Sequence, residues 1–216
     1  MSFIRNNEQS QKIPGNLLLM TIMVLEWLAL PTQFYLLINT GQFTWAEAVV
    51  RFFSFFTILT NFMVALCATI LLFGKSSTAY EFVHKKTTLT AVTVYILIVG
   101  IVYNIMLRPL HQLQGLHSII TEIFHSVVPL LFLLYWLLFL PQERIPWKNI
   151  IMWQVYPLLY VFYTLLHGWY THFYPYPFID VNKLGFNRAM TNGLFVLLAF
   201  VVLSAILTTI NNWRVK

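Results

Sequence analysis

The stretch Arg51-Phe-Phe-Ser54-Phe-Phe-Thr57-Ile-Leu-Thr60-Asn61-Phe-Met63 reads as the start of a membrane-spanning helix that carries hydroxyls and an amide where lipid accepts only carbon. At about 100° per residue, Ser54, Thr57, Asn61, Ala65 and Ala68 share one narrow stripe. Phe52, Phe55, Phe56, Leu59, Phe62 and Met63 cover most of the remaining surface. Unpaired polar groups in hydrocarbon cost several kcal/mol, so the stripe is expected to face other helices or a wet cavity.

Composition widens this reading to the whole chain. Of 216 residues, 59% are hydrophobic and 9% charged, against roughly 25% charged in a soluble domain, and the mean hydropathy is +0.72. The expectation is an all-α polytopic membrane protein: the apolar segments have the length of spanning helices, about 20 residues, and lack the alternation of barrel strands. The single cysteine, Cys67, falls inside a span, which excludes an intrachain disulfide and a cysteine-based metal site. The net charge of +6 is spread over loop ends beside spans, where topology accounts for it, so no nucleic-acid partner is expected.

Six spans are predicted at about 16–38, 50–73, 88–108, 118–140, 150–171 and 188–210, with Gly41, Gly74, Gly115 and Gly185 between them. They form one six-helix membrane domain over residues 16–210, after a polar segment 1–15 that ends at Pro14-Gly15 and before a tail, 211–216. The apolar run after Pro14 is too long for a signal peptide and lacks a small-residue cleavage site. An even number of spans puts both termini on one side. That side carries Arg5, Lys12, Lys75, Lys85, Lys86, Arg144, Lys148, Arg214 and Lys216, whereas the other carries Arg51, Arg108, Lys183 and Arg188. The positive-inside rule then places both termini in the cytoplasm.

Alternating span direction gathers polar residues in one leaflet. At 1.5 Å per residue, Thr57 and His125 each lie roughly 10 Å below the non-cytoplasmic end of their spans, and His167 about 6 Å. Asn104, Thr191 and Asn192 come to the same end, and the loop Tyr174-Pro-Tyr-Pro-Phe-Ile-Asp180 is expected to close over it. Ser118, Thr121, Glu122, His125 and Pro129 share one side of span four; Tyr156, Tyr160, Tyr163, Thr164, His167 and Thr171 share one side of span five. The Pro129 ring displaces the carbonyl of His125 and brings no N–H to it, which membranes tolerate beside a cavity or a partner helix. Glu26, near the middle of span one, is an intramembrane ionisable residue and so a functional candidate, or else the partner of a tyrosine or histidine.

Taken singly, each of these residues has a plain structural explanation. Serine, threonine and asparagine in membrane helices usually bond neighbouring helices, and tyrosines near span ends usually form an aromatic belt. Convergence at one depth favours chemistry. A threonine hydroxyl becomes a nucleophile when a base takes its proton, and neutral histidine is the usual base near pH 7. A Thr57–His125 pair would suit a fatty-acyl ester that partitions into the bilayer, with an acyl-enzyme formed on Thr57 and hydrolysed by water. Asn61, His167 or a tyrosine hydroxyl would serve the oxyanion. Glu122, three residues before His125, would orient it or cap the helix. Rival readings are a lipid-binding or transport protein without chemistry, a haem protein ligated by His125 and His167, and a zinc hydrolase using His125, His167 and Glu122. No His-x-x-x-His pair supports the last, and neither a cofactor nor an obligate protein partner is expected.

Phe-Phe-Thr57-Ile-Leu-Thr-Asn61-Phe, His125-Ser-Val-Val-Pro129 and Tyr174-Pro-Tyr-Pro-Phe-Ile-Asp180, in this order, resemble signatures of the androgen-induced-protein family, and in particular its bacterial six-span branch. The resemblance covers about residues 45 to 185. It implies an integral membrane threonine hydrolase acting on fatty acid esters of hydroxy fatty acids, in a bacterial inner membrane, with Thr57 as nucleophile and His125 as its histidine. His167 stands where vertebrate members also have a histidine. Thr60 occupies a position that is acidic in the vertebrate motif. The expected site is therefore Thr57 and His125, supported by Asn61, Asn104, Glu122, Tyr163, His167, Asp180 and Glu26, with its mouth on the non-cytoplasmic side.

Overall fold

A computed structural model describes residues 2–110, 113–140 and 143–215, with side chains from residue 13 onward. Six helices among the described residues are long and apolar enough to cross a membrane: Ile13–Ile38, Phe56–Phe73, Lys86–Leu110, Gly115–Phe139, Asn149–Thr171 and Phe186–Arg214. The protein is an all-α integral membrane bundle, as its composition requires. The first span belongs to α1 (Ser2–Ile38), which passes through Pro14 and Pro31 without ending. The polar N-terminal segment is thus continuous with the first helix.

The second span differs from its expected form. Residues 45–53 form a separate helix, α2 (Trp45–Phe53), and the spanning helix α3 is Phe56–Phe73. Thr44 and Glu47 close a reciprocal cap on α2, each bonding the other's backbone N–H. The chain then leaves helical geometry at Phe55 (φ −85°, ψ 127°). A broken helix at membrane depth needs other partners for its backbone, and α9 (Val155–Thr171) supplies them. Tyr160 Oη donates to the Ser54 carbonyl at 2.8 Å, and Tyr163 Oη lies 2.9 Å from Ser54 Oγ. Ser54 is therefore part of the break, not of the α3 stripe, and Thr57 is the second residue of α3.

After the short α4 (Thr78–Val83), α5 (Lys86–Val102) runs into a π-helical turn, Tyr103–Leu107. The fourth span is α6 (Gly115–Glu122), a second π turn at Ile123–Val127, and α7 (Val128–Phe139). Such widened turns cluster at functional sites, and these two pack against each other. Below them Trp136 donates to Thr90 at 2.8 Å and fixes α7 on α5. The fifth span adds α8 (Asn149–Trp153) ahead of α9.

Between α9 and the last helix, α11 (Phe186–Arg214), the chain turns back over the Thr57 end of the bundle. His172 takes a left-handed conformation (φ 57°), and the Tyr174 ring occupies the space that a Cβ on Gly168 would need. Asp180 then caps α10 (Val181–Leu184) by accepting from the N–H groups of Asn182 and Lys183. Asn192 of α11 donates to the Phe178 carbonyl at 2.9 Å. These anchors hold Tyr176 inward, where it is buried.

Candidate active site

Thr57, His125 and Tyr176 meet at the centre of the Thr57 end, 68 and 119 residues apart along the chain. Thr57 Oγ1 lies 3.5 Å from His125 Nε2 and 3.1 Å from Tyr176 Oη. The first distance is long for a hydrogen bond and within the reach of an unliganded nucleophile–base pair.

The protons can be assigned from the partners. His125 Nδ1 lies 2.8 Å from the Thr121 carbonyl, which can only accept, so Nδ1 carries the hydrogen and Nε2 presents its lone pair to Thr57. The single proton of Thr57 Oγ1 then points to Nε2, and Tyr176 donates to Oγ1. Tyr176 Oη also accepts the backbone N–H of Thr57 at 3.1 Å. That N–H is one of the free donors at the start of α3, where the helix dipole is positive. Burial and these bonds surround a phenol whose pKa is raised above 10.0, with burial the main cause; it remains a neutral donor at physiological pH.

Two features hold the histidine ring. Tyr103 stacks on it, with centroids 4.0 Å apart and planes 27° apart. Its carbonyl, which Pro129 deprives of a helical donor, accepts from Asn104 Nδ2 at 3.1 Å. The close approach depends on Gly100: a Cβ there would stand 2.9 Å from the His125 carbonyl oxygen.

The other expected residues take varied places. Asn61 Nδ2 is turned back to the Thr57 carbonyl at 2.8 Å, and its Oδ1 is buried without a hydrogen-bond partner among the described residues. Glu122 does not reach the imidazole nitrogens; it pairs with Arg108 at 2.6 Å and accepts from Ser126 at 2.8 Å, joining spans three and four. His167 stacks on Tyr163 and lies 3.4 Å from Thr171, so it belongs to the rim of α9. Tyr163 supports the break through Ser54. Thr60 faces Tyr156 at 3.2 Å. Asp180 anchors the loop that delivers Tyr176. Glu26 is fully buried, and both its oxygens lack hydrogen-bond partners among the described residues. No three His, Cys, Asp or Glu side chains group as a metal-ligand set among the described residues.

Tyr176 itself was not singled out in the sequence. It was one of several aromatics in a loop expected to cover the site, and only its inward turn distinguishes it. The Thr44-x-x-Glu47 capping signal, by contrast, marks a helix start at Trp45, ahead of the expected start of the second span.

Two cavities, of about 240 Å³ and about 300 Å³, flank the trio, and Thr57, Tyr103, Leu107, His125 and Tyr176 line both. The first extends between α5, α9 and α11 and has almost wholly apolar walls. The second extends toward Gln33, Leu113, Thr121, Pro175 and Pro177 at the loop end. Comparison of the chain with family models, curated proteins and solved structures finds no match.

Proposed function

We propose that the protein is a membrane-embedded lipid ester hydrolase with Thr57 as nucleophile and His125 as base, acting on a fatty-acyl ester through an acyl-enzyme. The observation that carries this reading is the placement of the imidazole, with Nδ1 2.8 Å from the Thr121 carbonyl, which assigns the proton there, and Nε2 3.5 Å from a hydroxyl that lines two cavities. As Thr57 Oγ1 bonds to the ester carbonyl carbon, its proton passes to Nε2. Tyr176 Oη–H shifts from Oγ1 to the developing oxyanion, in the role expected of a tyrosine hydroxyl. Collapse breaks the bond to the alcohol oxygen, which takes the Nε2 proton and leaves. Water then attacks the acyl-enzyme, gives a proton to Nε2, and the fatty acid departs as Thr57 recovers that proton. The Thr121 carbonyl stands where many hydrolases use a carboxylate, and it fixes the tautomer without adding charge.

The three motifs that resemble the androgen-induced-protein family support the same pair, and with it a six-span bacterial member whose Thr57 end faces the non-cytoplasmic side of the inner membrane. Labelling with a lipophilic fluorophosphonate tests the chemistry. Wild type is expected to label on Thr57, with Thr57→Ala and His125→Ala losing the adduct and Thr60→Ala retaining it. Equal labelling of all four would remove Thr57 as the reacting residue, and no labelling of any of them would leave a lipid-binding protein without chemistry, for which the apolar cavity is the supporting observation.

A further inference from the structure

The apolar cavity reaches the outer side of two spans. Its walls include Pro157, Leu158 and Val161 of α9 and Met190, Gly193 and Leu194 of α11. Leu158 and Leu194 are 50% and 66% exposed, and on spanning helices exposed leucines of this kind face lipid. The same side chains therefore line the cavity and stand on the outer surface of the bundle. The two helices scarcely pack on each other, and a Cβ built on Gly193 would meet nothing within 4 Å. An unfilled, apolar gap between two spans is open to hydrocarbon and closed to water by its walls.

The other end of the cavity is defined as well. Phe200, one of its lining residues, packs edge-on against Phe56 and Tyr95 with centroids 5.7 and 6.2 Å away. From Met190 to Phe200 the wall runs about 15 Å along α11 at the helical rise. The cavity is thus a slot that ends at Thr57 and His125 on one side, at an aromatic floor deeper in the bundle, and at the membrane through the α9–α11 gap.

We propose that this slot holds the acyl chain of the substrate, admitted sideways from the bilayer between α9 and α11, while the second cavity releases the alcohol and admits water. This rests on the hydrolase reading and assigns its two cavities. The apolar slot matches a hydrocarbon chain. The loop-end cavity is also largely apolar but is the more polar of the two and adds Gln33 and Thr121 to the shared residues, which suits the alcohol side of the ester. Because both cavities share the Thr57–His125 pair, an ester bond lies over the nucleophile only when its chain and its alcohol occupy opposite compartments.

The test uses the full chain in lipid nanodiscs. A fatty acid bearing a diazirine in its chain is photolysed with wild type and with Thr57→Ala, and adducts are mapped by peptide. Adducts are expected on Met190–Leu197 and Pro157–Val161, exceeding those on lipid-facing Val24 and Leu28 of α1. In parallel, Gly193 is replaced by Ala, Leu and Trp, and the ratio of kcat/KM for long-chain over short-chain esters is measured. It is expected to fall in that order, by about tenfold at Trp, with slot adducts falling alongside. Adducts spread evenly over all lipid-facing helices, or a ratio unmoved by Gly193→Trp, overturn the slot while leaving a Thr57-dependent hydrolase intact. Slot adducts in a protein whose hydrolysis does not depend on Thr57 overturn the hydrolase and leave the slot as a lipid site.

Discussion

Asn104 donates its side-chain amide to the carbonyl of His125 at 3.1 Å, filling the acceptor that Pro129 leaves without a helical N–H. The bond ties the third span to the backbone of the proposed base, so the position of the imidazole depends on a residue bonded to its backbone and not to its ring. Asn104→Leu removes the donor; leaving the carbonyl unpaired is expected to cost about 1–3 kcal/mol. Gly100→Ala acts at the same place by pushing a methyl to 2.9 Å from that oxygen. Both variants should unfold earlier in detergent titrations and hydrolyse more slowly, since the ring moves with its backbone. Unchanged activity in a clearly destabilised Gly100→Ala protein would separate the bond from the base.

On the proposed reading, Thr57→Ala is expected to lose ester hydrolysis by about 10³-fold or more, as nucleophile replacements do. Intact-mass measurement after fluorophosphonate treatment reads the same residue directly: one adduct on wild type, none on the variant. Thr57→Ser, which keeps the hydroxyl, should retain the adduct.

Tyr176→Phe removes the donor beside Thr57 Oγ1 and strands the Thr57 N–H. An oxyanion donor is worth about 10²–10³ in kcat, so the loss should fall on kcat with KM little altered. The pH dependence has a definite sign. A phenol whose folded pKa is raised keeps its proton, and the contribution of that proton is fully present below the ordinary value of about 10. It is lost only as pH climbs through the higher folded value. The ratio of wild-type to Tyr176→Phe rates should therefore stay flat from pH 6 to about 9.5. A ratio that declines across neutral pH would show that a different group supplies this hydrogen bond.

Glu122→Gln makes a contrasting forecast. The Arg108–Glu122 pair is 44% and 40% exposed, and exposed ion pairs contribute little to stability. The carboxylate bonds Arg108 and Ser126 and not the imidazole, so its neutral isostere should change the melting temperature slightly and leave fluorophosphonate labelling in place. Loss of labelling would mean that its charge acts on His125 through space.

Much of this arrangement was legible in the chain. Segment length and hydropathy are local properties, and they define six spans to within a few residues, except at the second. The alternation of span direction brought Thr57 and His125 to one level, and the missing N–H of Pro129 pointed to an orphaned carbonyl that the structure shows filled. The break at Ser54–Phe55 was not legible, because no proline or glycine marks it. It is held open by tyrosines more than a hundred residues away that satisfy its backbone. Tyr176 escaped for a related reason: its inward turn depends on Gly168, Asp180 and Asn192, contacts between residues that share no spacing pattern. Glu122 lies one helical turn from His125, yet Arg108 of the neighbouring span takes it instead.

The break also changes how α3 matches the bilayer. At 18 residues the helix is about 27 Å long, slightly under a typical hydrocarbon thickness of about 30 Å. A helix shorter than the bilayer favours a leaflet drawn inward at its end, and Thr57 is the second residue of α3. On the proposed reading, the water that enters the loop-end cavity would then reach the acyl-enzyme across a locally thinned leaflet. Hydrolysis should slow as the protein is moved into bilayers of progressively longer acyl chains, with the deacylation step affected more than the attack on Thr57.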